Sequence, residues 1–182
     1  SVGDGTRWRV LGQQVFFGAQ APSDAIRNSD VWDGYQAGRN RIFDFLETNS
    51  VDNVVVLTGD IHSSWALDVP RDPWNGYDPA TGRGSLAVEY VTPAISSPSQ
   101  FTDTPEEADA AHEARLAASP HLKFVDQVHR GYFILDITPE RAQADWFFVE
   151  TIAERSNRER FVRGFYSRDG DNHLTEASRP VA

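Results

Sequence analysis

The segment that most constrains this chain is Asn53-Val-Val-Val-Leu-Thr-Gly-Asp-Ile-His62, followed by Ser63-Ser64-Trp65. Val54 to Leu57 is an uncharged run, short enough for a strand and apolar enough to be buried on both faces. Thr58-Gly59 breaks it, and two metal-binding side chains follow one residue apart. In an extended chain, residues i and i+2 share a side. Asp60 and His62 are therefore expected to project together from the carboxyl end of a central strand, the edge where open α/β sheets place ligands. A carboxylate oxygen beside an imidazole suits Mn, Fe, Zn or a mixed pair containing Ca. Gly59 is expected to give the backbone its freedom to turn. A blander reading stands beside this one: Asp60 caps the next turn and His62 sits satisfied in a core.

At 182 residues with 40% apolar content, the chain fits one domain, or a large part of one, with a sizeable core. A formal charge of -10 argues against a general nucleic-acid binder, which carries a basic face. A phosphate-bearing ligand would then need local positive charge, which metal ions supply. Cys is absent, which excludes disulfides and thiol chemistry. The opening Ser1-Val-Gly-Asp-Gly-Thr-Arg7 has neither Met nor a basic-then-apolar leader, and it reads as the start of a piece cut from something longer. No apolar run is long enough to span a membrane.

Along the chain, Trp8 to Phe17 reads as a strand, Gly18 to Asp30 as a surface loop, and Gln36 to Thr48 as a helix. Ile42, Phe43, Phe45 and Leu46 form the helix's apolar stripe, with Arg39 and Arg41 on its polar side. With the Val54 strand this makes one βαβ unit. Asp68 to Gly84, rich in Pro and Gly, is expected to be an irregular loop, and Leu86 to Thr92 a strand. Ser96 to Ser99 is a turn. Thr104-Pro-Glu-Glu107 has the pattern of a capped helix start, running to about Ala118 with His112 solvated. Gly131–Ile137 and Ala142–Val149 form an antiparallel hairpin, and a charged tail follows. His121 and His129 are read as surface or core histidines, and His173 as part of the tail. The architecture expected is α/β, or α+β, with a mixed sheet and helices outside.

Three separated segments carry a family likeness: Trp32-Asp-Gly-Tyr35 with Arg39, then Val55 to Trp65, then Val88-Glu-Tyr-Val-Thr-Pro-Ala-Ile-Ser-Ser-Pro-Ser99. With the hairpin His129–Ile137 and Ala144–Val149, they make the chain resemble the carboxyl-terminal part of the alkaline phosphatase D (PhoD-like) family of calcineurin-like metallophosphoesterases. The likeness runs from about Trp8 to about Val149. It implies part of a four-layer α-β-β-α sandwich, with residues 1–150 as the carboxyl-terminal half of a metallophosphoesterase domain and 151–182 as a charged extension. It also implies a two-metal centre of Fe with Ca, Zn or Mn being alternatives. Asp60 and His62 would be metal ligands and hence catalytic, with Ser63 and Trp65 behind them or on the pocket wall.

The reaction so implied is hydrolysis of a phosphate monoester or diester by a metal-activated hydroxide, in a periplasmic or secreted enzyme. Family members carry earlier metal ligands in an amino-terminal half, which is therefore the expected partner. Two readings compete. In one, the chain is a non-catalytic structural half-domain that only associates with a partner chain. In the other, Ser63 or Ser64 is a nucleophile with His62 or His129 as its base, although the Gly-x-Ser-x-Gly elbow is absent.

Overall fold

Val54–Thr58 does form a buried strand (β2), and a five-stranded sheet is built around it. The computed structural model describes residues 5–22, 28–98 and 105–181. Arg9–Gly12 (β1) runs parallel to β2, as a βαβ unit through the helix Gln36–Thr48 (α1) requires, and Ser85–Val91 (β4) flanks β2 in parallel on its other side. Ser64–Pro70 (β3) runs antiparallel to β4, and Leu122–Asp126 (β5) antiparallel to β3, giving the order β1-β2-β4-β3-β5. The second sheet is an antiparallel meander of Gly131–Ile137 (β6), Arg141–Val149 (β7), Glu159–Arg168 (β8) and Thr175–Ala177 (β9).

The strand period of two divides the apolar residues between two layers. Val55, Ala66, Val88 and Tyr90 face the second sheet and pack on Ala142, Ala144, Trp146, Phe148 and Phe165. Tyr90 Oη bridges the sheets, donating to the carbonyls of Ala142 and Phe165, and Trp146 Nε1 donates to that of Val91. Truncating an aromatic buried in such a layer costs about 3–5 kcal/mol. On the other face, Val54, Val56, Val69 and Ala87 receive Phe43 and Leu46 of α1. The helix Pro105–Ala118 (α2) brings Leu116 against Trp65, Val91 and Val125 on that same face. The described residues thus form three layers, α-β-β, of the expected sandwich. No helix covers the outer face of the second sheet among them.

Several expectations change. The first strand stops at Gly12: Phe16 and Phe17 are buried in a loop, not a ladder. Arg39 is not on the polar side of α1 but on its buried face, 4% exposed, because Asp33 waits there to pair with it at 2.7 Å. Phe45 takes the exposed position instead. The loop expected from Asp68 begins only after Pro70. Asp68 is fully buried inside β3, where Tyr77 Oη, His173 Nδ1 and the Leu174 N–H satisfy its carboxylate. His112 is buried and accepts the Gln127 N–H at 3.0 Å, so it is not solvated. His173 is tied to Asp68 across the fold and is no loose tail residue. The segment read as a charged tail supplies β8, whose charged residues face solvent while Phe165 enters the core. The Thr104 cap and Ser99, the end of the 96–99 turn, lie outside the described residues.

Candidate metal-binding edge

The carboxyl ends of β2 and β4 and the start of β3 meet at one edge of the first sheet, since Thr58 pairs with Val91 and Val91 with Trp65. Asp60 and His62 stand there, both exposed, in the turn from β2 to β3. They are not extended as the i, i+2 argument supposed. Asp60 has φ 73° and His62 φ 53°, and Gly59 is not among the residues with positive φ. Two side-chain-bearing residues thus take the left-handed conformation where the sequence offered a glycine. Such backbone strain gathers at functional sites.

The strain is held by the residues behind it. Ser63 is buried; its hydroxyl donates to the Ile61 carbonyl at 3.0 Å and accepts Trp65 Nε1–H at 2.7 Å. Trp65 is anchored edge-on to Phe16. Both residues brace the peptide between Asp60 and His62 from beneath. Neither serine hydroxyl is available as a nucleophile: Ser63 is engaged, and Ser64 Oγ is enclosed without a partner.

Deeper still lies Glu89 on β4. Its Oε1 accepts the Phe17 N–H at 2.9 Å and the Thr58 hydroxyl at 2.8 Å, and Oε2 accepts the Gly18 N–H at 2.7 Å. Burial pushes its pKa up to about 7, against the pull of those donors and of Arg39. Arg39 also donates to the Phe17 carbonyl, while Asp33 accepts the N–H groups of Gln20 and Ala21. The Phe16–Ala21 loop is therefore held by side-chain carboxylates and a guanidinium as well as by the packing of Phe16 and Phe17. Nothing in its sequence shows this, because the partners lie far away in the chain.

His62 Nδ1 lies 3.0 Å from the Pro98 carbonyl oxygen. A carbonyl only accepts, so Nδ1 carries the proton and the Nε2 lone pair is left for a metal. Backbone carbonyls fix metal-binding histidines in this way. Asp60 adds a hard oxygen donor. These two residues fit two positions of a metal centre and no more, since a hard cation such as calcium takes about six to eight oxygens. Among the described residues, no group of three or more His, Cys, Asp or Glu gathers to hold a metal ion.

Comparison with known proteins identifies the family. Residues 3–146 match the family model of PhoD-like phosphatases, and the chain belongs to that family. It is 34% identical over 162 residues to alkaline phosphatase D of Bacillus subtilis (strain 168), covering 85% of this chain and 26% of that protein. It superposes on a solved structure titled "Structure of PhoD" with a TM-score of 0.81 at 30% identity, covering 99% of this chain and 33% of that one. The chain thus spans about a third or less of the length of these relatives.

Proposed function

We propose that this chain supplies part of the active site of a metal-dependent phosphoesterase, with Asp60 and His62 as ligands to a metal pair. The observation that carries this reading is the His62–Pro98 contact, which fixes the ring's tautomer and leaves Nε2 for a cation. Membership of the PhoD-like phosphatase family and the likeness to alkaline phosphatase D support it. Iron with calcium is the pair we assign, zinc or manganese being the alternatives. When bound, such a pair supplies a nucleophilic water at neutral pH and counter-charge for the phosphoryl oxygens.

The chain's own residues orient and hold. Pro98 keeps the His62 ring turned outward, Ser63 and Trp65 keep the turn in its strained form, and Glu89 with Thr58 fixes the strand end beneath it. The remaining ligands come from outside the described residues, and we assign them to the amino-terminal half of the same enzyme. The unpaired sides of β1 and β6 support this. Among the described residues each is a sheet edge, Trp8 Nε1 ties them together at the Thr138 carbonyl, and Val10, Ile134 and Ile137 are exposed along them. An exported location, periplasmic or secreted, accompanies the reading. No described helix is long and apolar enough to cross a membrane.

The test is hydrolysis of p-nitrophenyl and bis-p-nitrophenyl phosphate by the holoenzyme, with and without chelator, alongside Asp60→Asn and His62→Ala. Loss of about a hundredfold or more in each variant is the expected result. Unchanged rates, or rates indifferent to chelator, leave the chain a non-catalytic half-domain.

A further inference from the structure

β5 ends at the same edge as Asp60 and His62, because Asp126 stands opposite Ser64 in the antiparallel register. The turn after β4 joins the two places. Its Pro98 carbonyl holds His62, and its Ser97 carbonyl accepts Arg130 Nε at 3.1 Å. Arg130 also reaches the Val128 carbonyl. Carbonyls one residue apart thus tie the metal-binding turn to the turn that carries His129.

His129 is braced on two sides. Its Nδ1 lies 2.8 Å from Asp126 Oδ2, while Asp126 Oδ1 accepts the backbone N–H groups of Val128 and His129. Its ring stacks nearly parallel on Phe148, centroids 4.9 Å apart. Burial alone would push the Asp126 carboxyl up, but the hydrogen bonds from His129 outweigh it and hold the group below its ordinary range. A carboxylate accepts only, so Nδ1 is protonated and Nε2 is the working nitrogen. The side chain is 45% exposed and borders a cleft of about 390 Å³ with Phe148, Glu150, Arg158, Glu159 and Arg160.

An Asp-x-x-His turn ending a strand is an ordinary staple. An ordinary staple, however, has no need of a solvent-facing imidazole whose tautomer and plane are both fixed at the edge of a metal site. We propose that His129, buttressed by Asp126, is the general acid that protonates the departing ester oxygen, and that the alcohol portion of the substrate lies in the adjoining cleft. This rests on the phosphoesterase reading and sharpens its substrate class to esters of aliphatic alcohols, whose alkoxides need a proton to leave. A water oxygen bonds to phosphorus as the bond from phosphorus to the ester oxygen breaks. The electron pair stays on that oxygen and the imidazolium form of His129 gives it the Nε2 proton, leaving a neutral ring with Nδ1–H on Asp126. The proton released by the attacking water passes to solvent, and solvent restores the imidazolium.

The experiment compares ethyl phosphate with p-nitrophenyl phosphate in the holoenzyme, for wild type, His129→Asn and Asp126→Asn. A nitrophenolate leaves unaided. His129→Asn is expected to lower kcat/KM for ethyl phosphate by about a hundredfold or more and to change the p-nitrophenyl rate by about threefold at most. Asp126→Asn follows the same pattern, more weakly. The ratio of the two rates within one sample does not depend on how much of a variant is folded. Equal losses on both substrates, or no loss on either, overturn the proposal. If Asp60→Asn and His62→Ala abolish both hydrolyses while the His129 variant shows no selectivity, the dyad alone fails. If the wild type hydrolyses neither ester, the phosphoesterase reading fails and the dyad with it.

Discussion

Thr58 donates its hydroxyl to Glu89 across two parallel strands at 2.8 Å, two residues before Asp60. The candidate ligand turn is thereby fastened to a fully buried carboxylate that also collects two backbone N–H groups from the Phe16–Ala21 loop. Thr58→Val removes one donor from Glu89 and should cost about 1 kcal/mol. Glu89→Leu leaves three donors unmatched and should cost about 3–5 kcal/mol, read from urea unfolding.

Two buried groups give the fold opposing pH dependences. Glu89 is raised from 4.5 to about 7, so its contribution is full below pH 4.5 and is lost as pH rises through 7. His121 donates Nε2–H to the Ala19 carbonyl, and its Nδ1 is enclosed without a partner. Burial lowers it from 6.5 to about 4, so its contribution is full above pH 6.5 and is lost as pH falls through 4. Each amounts to about 3 kcal/mol by linkage. Between pH 4.5 and 6.5 the two slopes cancel. Stability measured across that window should be flat in the wild type, fall with pH in His121→Gln and rise with pH in Glu89→Gln.

The Arg39–Asp33 pair is nearly dry on both sides. Removing one partner of such a pair strands the other, at about 3–5 kcal/mol. Arg39→Leu should therefore destabilise by that amount in chemical denaturation, although Leu suits the helix. Arg41→Leu, on the exposed side of the same helix, should change stability by no more than about 0.5 kcal/mol.

Asp68 anchors the C-terminal strands to β3. His173 and Leu174 both bond its carboxylate, and Lys123 Nζ stands 3.6 Å away. Asp68→Ala should cost about 3–5 kcal/mol, since an ammonium, a hydroxyl and a buried N–H lose their acceptor together. His173→Ala should cost less, about 1–2 kcal/mol. Its signature is faster amide exchange confined to residues 174–177.

What the sequence conveyed and what it hid follow from the range of the interactions. The Val54 strand, α1, the closing hairpin and the parallel βαβ start were readable, because apolar periodicity and turn chemistry act over neighbouring residues. β3 was missed because Asp68 and Pro70 read as breakers. The carboxylate that makes Asp68 tolerable there is satisfied by Tyr77, nine residues away, and His173, 105 away. Arg39 was placed on the wrong face for the same reason: helical spacing cannot show that Asp33 has turned inward. At the site, Asp60 and His62 are legible from their types, their place after the Val54 strand and the family likeness. The Pro98 contact depends on a turn 36 residues further on, and the left-handed backbone on how Ser63 and Trp65 pack beneath it. The Asp126–His129 pairing had a local signal in its i, i+3 spacing, but only the sheet register puts it beside the ligand turn.

The most direct measurement is the metal content of the purified holoenzyme by elemental mass spectrometry, for wild type, Asp60→Asn and His62→Ala. With both residues as ligands, the wild type should hold about two metal ions per molecule and each variant about one or fewer. Full wild-type content in both variants, unchanged after dialysis against chelator, would contradict the assignment of Asp60 and His62 as metal ligands.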